Sequence, residues 1–223
     1  MRSGTLILNF KNYAEALGDG SVRLAKAAEA VSERTGVETV VAPPAPMIAL
    51  VASAVRLPVF SQSVAGEMGE KTTGAVLPEA VKASGARGTI LNHSESRLSA
   101  SDISRLVPRL SRLSLQSCVC ARSASESARF AGLGSTYLAV EPPELIGTGV
   151  AVSKARPDLV SRTARLVRES GYSGKLLCGA GIVTGKDVSR AIELGAEGVM
   201  VSSSVVKAKD WERKLEELAR SLP

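Results

Sequence analysis

The chain of 223 residues carries one histidine, His93, in the run Thr89-Ile-Leu-Asn-His-Ser-Glu95. Imidazole is the side chain best suited to hold or move a proton near neutral pH, so any imidazole chemistry here rests on that residue. Glu141 follows an apolar run directly, which would hold its carboxylate in low dielectric as a candidate base. Lys11 stands two residues after Asn9. In an extended segment their side chains share a face, and a lysine turned inward calls for an anion. A helix opening just after His93 would set the ring at a positive dipole end and favour the neutral form. Taken singly, Lys11 reads equally as a side chain that snorkels to solvent, and His93 as a structural histidine. Taken together, a base, a neutral donor and a cation suit proton abstraction from an anionic substrate.

Two further segments could bind that anion. After Glu141 the chain continues Pro-Pro-Glu144-Leu-Ile146-Gly147-Thr-Gly149. Two prolines stiffen the start and two glycines loosen the far end, so residues 142–152 read as a lid, with Glu144 a lid or surface residue rather than a second base. Near the C-terminus, Cys178-Gly179-Ala-Gly181-Ile-Val-Thr-Gly185-Lys186-Asp187 only approximates a phosphate-binding glycine loop. Its free main-chain amides near a helix start can still take an anion. Ser202-Ser203-Ser204 opens another short helical piece.

These residues need a scaffold that brings distant loops to one rim. Short β-branched runs recur at 5–10, 37–42, 57–61, 88–91, 115–120, 136–140, 175–178 and 198–201, with the continuous apolar character of strands buried on both faces. Helical stripes alternate with them: 21–34 (Val22, Ala25, Ala28, Val31), 158–167, the segment after the capping-box spacing Thr184…Asp187, and a last helix capped by Asp210. This alternation predicts an α/β fold, an eight-fold β/α barrel with parallel strands inside and helices outside, over a single domain of residues 1–223. A doubly wound open sheet is the structural alternative, but the first strand lacks the glycine fingerprint that would announce it. In a β/α barrel the loops after the strands share one rim, and the seventh and eighth commonly bind phosphate.

Composition narrows the function. The formal net charge is +6, aromatics make up 3% of the chain and no long basic run occurs, which suits a small-anion site better than nucleic acid. Cys118, Cys120 and Cys178 are an odd set that reads as buried thiols, not as a disulfide framework or a metal clip. No stretch has membrane-spanning length, and the N-terminus runs straight into a strand, so a cytoplasmic protein is expected.

With these residues in view, the chain resembles the triosephosphate isomerase family, in particular its shorter archaeal form. Asn9-Phe-Lys11, Asn92-His-Ser-Glu95, Val140-Glu-Pro-Pro-Glu-Leu-Ile-Gly-Thr-Gly149 and Ser202-Ser203 carry the likeness, which runs nearly end to end. The resemblance implies interconversion of dihydroxyacetone phosphate and D-glyceraldehyde 3-phosphate through an enediolate, in glycolysis and gluconeogenesis. It needs no cofactor and no metal. It implies Glu141, His93 and Lys11 as catalytic residues, with Glu95 orienting Lys11. Asn9, Phe10, Lys11, Ile146, Gly147, Gly181, Ser202 and Ser203 would bind substrate. A homo-oligomer is implied, a homotetramer in preference to a homodimer, with the third loop at Lys71–Gly74 reaching a neighbouring subunit and a trimmed fourth helix within 99–114. Three departures stand out: Ser96 in place of a usual arginine, Ser204 in place of a common glycine, and Gly181 in place of a serine. The competing readings are another phosphate-binding barrel enzyme of amino-acid biosynthesis and a basic, non-catalytic nucleic-acid-binding protein.

Overall fold

A computed structural model describes residues 3–66, 71–145 and 148–223. Eight strands, all parallel, form one sheet: β1 (Thr5–Asn9), β2 (Glu38–Ala42), β3 (Phe60–Ser61), β4 (Gly88–Leu91), β5 (Gln116–Ala121), β6 (Tyr137–Val140), β7 (Lys175–Cys178) and β8 (Gly198–Val201). The spatial order is β2-β1-β8-β7-β6-β5-β4-β3. Among the described residues one isolated parallel bridge, Val41 to Val59, joins the two ends, so that the barrel is nearly closed. The expected strand at 57–61 shrinks to two residues for a physical reason. Pro58 has no N–H to give a ladder, and its carbonyl accepts from Val41 N instead, at 3.1 Å.

Strand alternation sorts the apolar residues into two layers. Ile7, Val40, Phe60, Ile90, Cys118, Cys120, Leu177 and Met200 fill the barrel. Leu6, Leu8, Val41, Leu91, Val119, Leu138, Val140, Cys178 and Val201 face the helices. All three cysteines are free and buried. The helices are α1 (Asp19–Thr35), α2 (Ile48–Ala52), α3 (Pro78–Ala83), α4 (Ala100–Arg112), α5 (Ala124–Ala131), α6 (Val152–Ala155), α7 (Pro157–Glu169), α8 (Gly185–Glu193), α9 (Ser203–Val206) and α10 (Trp211–Ala219). In α1 the buried stripe is Leu24, Ala25, Ala28 and Val31, so Leu24 takes the place expected of Val22. The Thr184–Asp187 capping box and the Asp210 cap form as read. Helix α4 has 13 residues, is capped by Ser99 and holds Pro108 in its interior.

The lower end of the barrel, at the strand starts, is closed by a polar plug. Glu38 accepts from Tyr137 Oη at 2.8 Å and from Lys175 Nζ at 2.9 Å, and Thr5 Oγ1 also donates to it. Burial pushes the Glu38 carboxyl up, but these donors outweigh it and hold it below the usual range. A hydrogen bond to a charged group is worth about 1.5–3 kcal/mol before solvent access reduces it. Tyr137→Phe is therefore expected to lower stability by about 1–2 kcal/mol in urea unfolding and to leave turnover unchanged, because the strand ends that carry the cleft lie at the opposite rim.

Candidate active site

At the upper rim, Asn9, Lys11, His93, Glu141, Gly181, Ser202 and Ser203 line one cleft. Strand β1 ends at Asn9, and Lys11 leaves it with φ +50°. The two side chains meet the cleft through a turn, not through the strand alternation expected from their spacing. Asn9 Oδ1 accepts from Lys11 N at 3.0 Å, and Gln62 Nε2 donates to the carbonyls of Lys11 and Ala42, both at 3.0 Å. A left-handed backbone at a residue other than glycine persists when its surroundings over-determine it, and these three bonds do so. Lys11 Nζ reaches Glu95 Oε1 at 2.9 Å.

His93 sits in a turn after β4, and Ser96 N donates to its carbonyl. Helix α4 does not begin until Ala100, so the expected helix dipole is not beside the ring. The ring is kept neutral by other causes. Burial is the largest, followed by the Lys11 charge, with Arg97 also contributing and Glu95 opposing; together they push the imidazole down to about 4. Its tautomer follows from one contact. Nδ1 accepts from Glu95 N at 3.2 Å, so the proton is on Nε2, which lies 3.8 Å from Glu141 Oε1. Asn92 frames the turn with φ +60°. Its Nδ2 donates to Cys120 O, and its Oδ1 accepts from Leu98 N.

Glu141 follows β6 directly and is 2% exposed. Burial pushes its carboxyl up to about 7, against the opposing effects of the Cys120 thiol, Lys11 and Arg97. Among the described residues Oε2 has no hydrogen-bond partner. Gly179 makes room for this carboxylate: a Cβ there would stand 2.7 Å from Oε1. A buried carboxylate near pH 7 beside a neutral N–H donor and an ammonium group is the pattern for general-base removal of a carbon-bound proton, with the developing oxyanion stabilised. Burial also pushes the Cys178 thiol up to about 12 and raises that of Cys120, so both stay protonated and are poor nucleophiles.

The family model described as triosephosphate isomerase matches residues 4–219. The chain belongs to the triosephosphate isomerase family. It is 45% identical over 222 residues to a triosephosphate isomerase of Caldivirga maquilingensis, covering 100% of this chain and 99% of that protein. It is 44% identical over 213 residues to one of Methanothermus fervidus, covering 96% of each. It is 42% identical over 215 residues to one of Methanocaldococcus jannaschii, covering 96% of this chain and 98% of that protein.

Within this triosephosphate isomerase frame, some expected residues fall elsewhere. The ring of Phe10 is fully buried in the layer between sheet and helices and does not line the cleft. Ile146 and Gly147 lie outside the described residues. Next to Ser96, Arg97 donates from Nη1 to Asn92 O at 3.1 Å and bears electrostatically on His93 and Glu141. The hydroxyls of Ser202 and Ser204 are buried at the cleft with no partner among the described residues. Sequence reasoning missed Gln62 and Arg97, and it named Asn92 and Gly179 within motifs without giving them these roles. Gln62 directly follows β3, so a search of the third loop at the upper rim would have found it.

Gly181 has φ +68°, and a Cβ there would lie 1.9 Å from Val150 O. Gly181→Ala is therefore expected to displace Val150 and Ala151 and to raise KM about tenfold or more, since a small misplacement can cost that much. Steady-state kinetics, with circular dichroism to verify folding, would test this. An unchanged KM would contradict it.

Proposed function

We propose that this chain interconverts dihydroxyacetone phosphate and D-glyceraldehyde 3-phosphate through an enediolate, as a cytoplasmic archaeal enzyme of glycolysis and gluconeogenesis. The observation that carries the reading is the convergence, at one rim, of a buried carboxylate, a neutral imidazole N–H and a paired lysine, drawn from three different loops. Glu141 removes the proton from the carbon beside the carbonyl. His93 donates from Nε2 to the carbonyl oxygen as a neutral acid and moves the proton between the two oxygens. Lys11, oriented by Glu95 and Asn9, offsets the enediolate charge. The substrate's phosphate is taken by amides of the seventh and eighth loops at Gly181, Ser202 and Ser203, and by Ile146 and Gly147 of the lid. Proton transfer between adjacent carbons needs only these groups, so the reaction runs without metal or organic cofactor.

The names of the relatives agree with this substrate pair and do not favour the larger sugar phosphates of an amino-acid pathway or a nucleic-acid partner. Among the described residues no helix is long and apolar enough to cross a membrane. The reading includes a single domain of residues 1–223 working as a homo-oligomer, a homotetramer in preference to a homodimer. Lys71, Thr73 and Gly74 stand exposed in the third loop, free to meet a neighbour.

A coupled assay run in both directions tests the activity, and sedimentation tests the assembly. Turnover with both triose phosphates, and deuterium uptake from solvent at the reacting carbon, are expected. Activity with larger sugar phosphates only would sink the proposal.

A further inference from the structure

The far arm of the lid, α6 and the residues just before it, is fastened to the seventh loop by contacts the proton chemistry does not use. Val152 N donates to Ala180 O at 3.0 Å. Val150 O presses on Gly181 closely enough to exclude a Cβ. Ser153 Oγ donates to Asp187 O at 3.2 Å. Lys154 Nζ lies 2.6 Å from Asp187 Oδ1.

The last contact differs from the others in what Asp187 does elsewhere. Its second oxygen, Oδ2, accepts from Val183 N (3.1 Å), Thr184 N (2.8 Å) and Thr184 Oγ1 (2.9 Å). One carboxylate therefore shapes the return of the seventh loop into α8 with one oxygen and holds the lid arm with the other. The Asp187 side chain is 3% exposed, whereas that of Lys154 is 59% exposed. If the arm swings away, Lys154 passes into water at little cost, but the buried Asp187 carboxylate oxygen loses its cation, and a buried charge left without its partner is unfavourable. A second pair near the lid base, Arg156 to Glu144 at 3.5 Å, joins two half-exposed side chains. Solvent screens such a pair to little net effect, so the Asp187 pair dominates.

We propose that Asp187 is a positioning residue that, through Lys154, holds the lid's far arm and the anion-binding seventh loop as one body. The proposal rests on the isomerase reading for its kinetic consequences. In that reading the enclosed enediolate must not lose its phosphate. In the loss reaction the oxyanion pair becomes a C=O bond, the carbon–carbon double bond shifts one position, and the carbon–oxygen bond breaks with its pair leaving on phosphate. A loosened lid promotes that exit.

Lys154→Met keeps the apolar stem and leaves the capping box intact. It is expected to raise KM for D-glyceraldehyde 3-phosphate about five- to tenfold, a change of about 1 kcal/mol in binding, with kcat changed less than twofold. The fraction of turnovers ending in free inorganic phosphate should rise several-fold. Amide hydrogen exchange at Val152, measured without substrate, should quicken several-fold, and Lys154→Arg should restore all three. Parental values of KM, phosphate release and Val152 exchange in Lys154→Met would overturn the clamp. If the parent chain lacks isomerase activity, the isomerase reading fails by itself, and Val152 exchange alone then decides the clamp.

Discussion

Glu141→Gln is expected to lower kcat for triose phosphate isomerisation by about 10³-fold, within the range that a positioned general base supplies, while the barrel stays folded. The amide is nearly isosteric with the acid and fits beside Gly179, but it cannot accept the substrate's proton. In the parent, kcat/KM should fall as pH drops below about 7, where the carboxyl takes up its proton. Stability should move the other way. The folded-state pKa of Glu141 is raised from 4.5 to about 7, so its contribution is fully present below pH 4.5 and is lost as pH rises through 7. For His93, lowered from 6.5 to about 4, the contribution is present above 6.5 and is lost as pH falls through 4. Between pH 4.5 and 6.5 the two slopes oppose each other in the parent. In Glu141→Gln only the His93 slope remains, so stability should climb with pH across that window. Above pH 7 the variant should exceed the parent by about 3 kcal/mol at most. Urea unfolding at pH 5 and pH 8 measures both effects. A stability difference that does not change with pH would refute the assignment of a buried, ionising base.

That trade of stability for chemistry also marks where sequence reasoning succeeded and where it stopped. The barrel was legible because its strands are buried on both faces, and eight such runs with helical stripes between them leave few topologies. The third strand was overcalled because a reading of 57–61 as a continuous apolar run does not see that Pro58 lacks a donor. Lys11, His93 and Glu141 were legible because each stands just past an apolar run, and strand ends in this fold share a rim. Their local causes were not. The neutral state of His93 was expected from a helix start, yet it comes from burial and from Lys11, a residue 82 positions earlier. Among the described residues, Gln62 Nε2 donates only to main-chain carbonyls, those of Lys11 and of Ala42 at the end of β2, and a glutamine leaves no periodic signature. The likeness of Gly179-Ala-Gly181 to a phosphate loop pointed to free amides. The glycines serve packing as well, one against the Glu141 carboxylate and one against the Val150 carbonyl.

The single histidine makes the last expectation unusually direct to measure, because one ring gives one titration. Lys11→Met keeps the stem and the same left-handed backbone but removes the ammonium group. Loss of one preorganised charge contact to a developing oxyanion should lower kcat/KM by about 10²–10³-fold. The same charge also bears on both neighbours. Lys11 pushes the His93 ring down, second only to burial, and it pushes the Glu141 carboxyl down against burial. Without it, both groups should titrate higher. The imidazole, followed by nitrogen NMR, should move up from about 4 yet stay below 6.5, since burial remains. The acid limb of kcat/KM should shift above pH 7 for whatever activity survives. Glu95 loses its ion-pair partner in this variant, but its main-chain N–H still faces Nδ1, so the ring should keep its proton on Nε2. If His93 and the acid limb both stayed at their parental positions while activity fell, Lys11 would act on the substrate alone, and the electrostatic coupling of the three residues would be wrong.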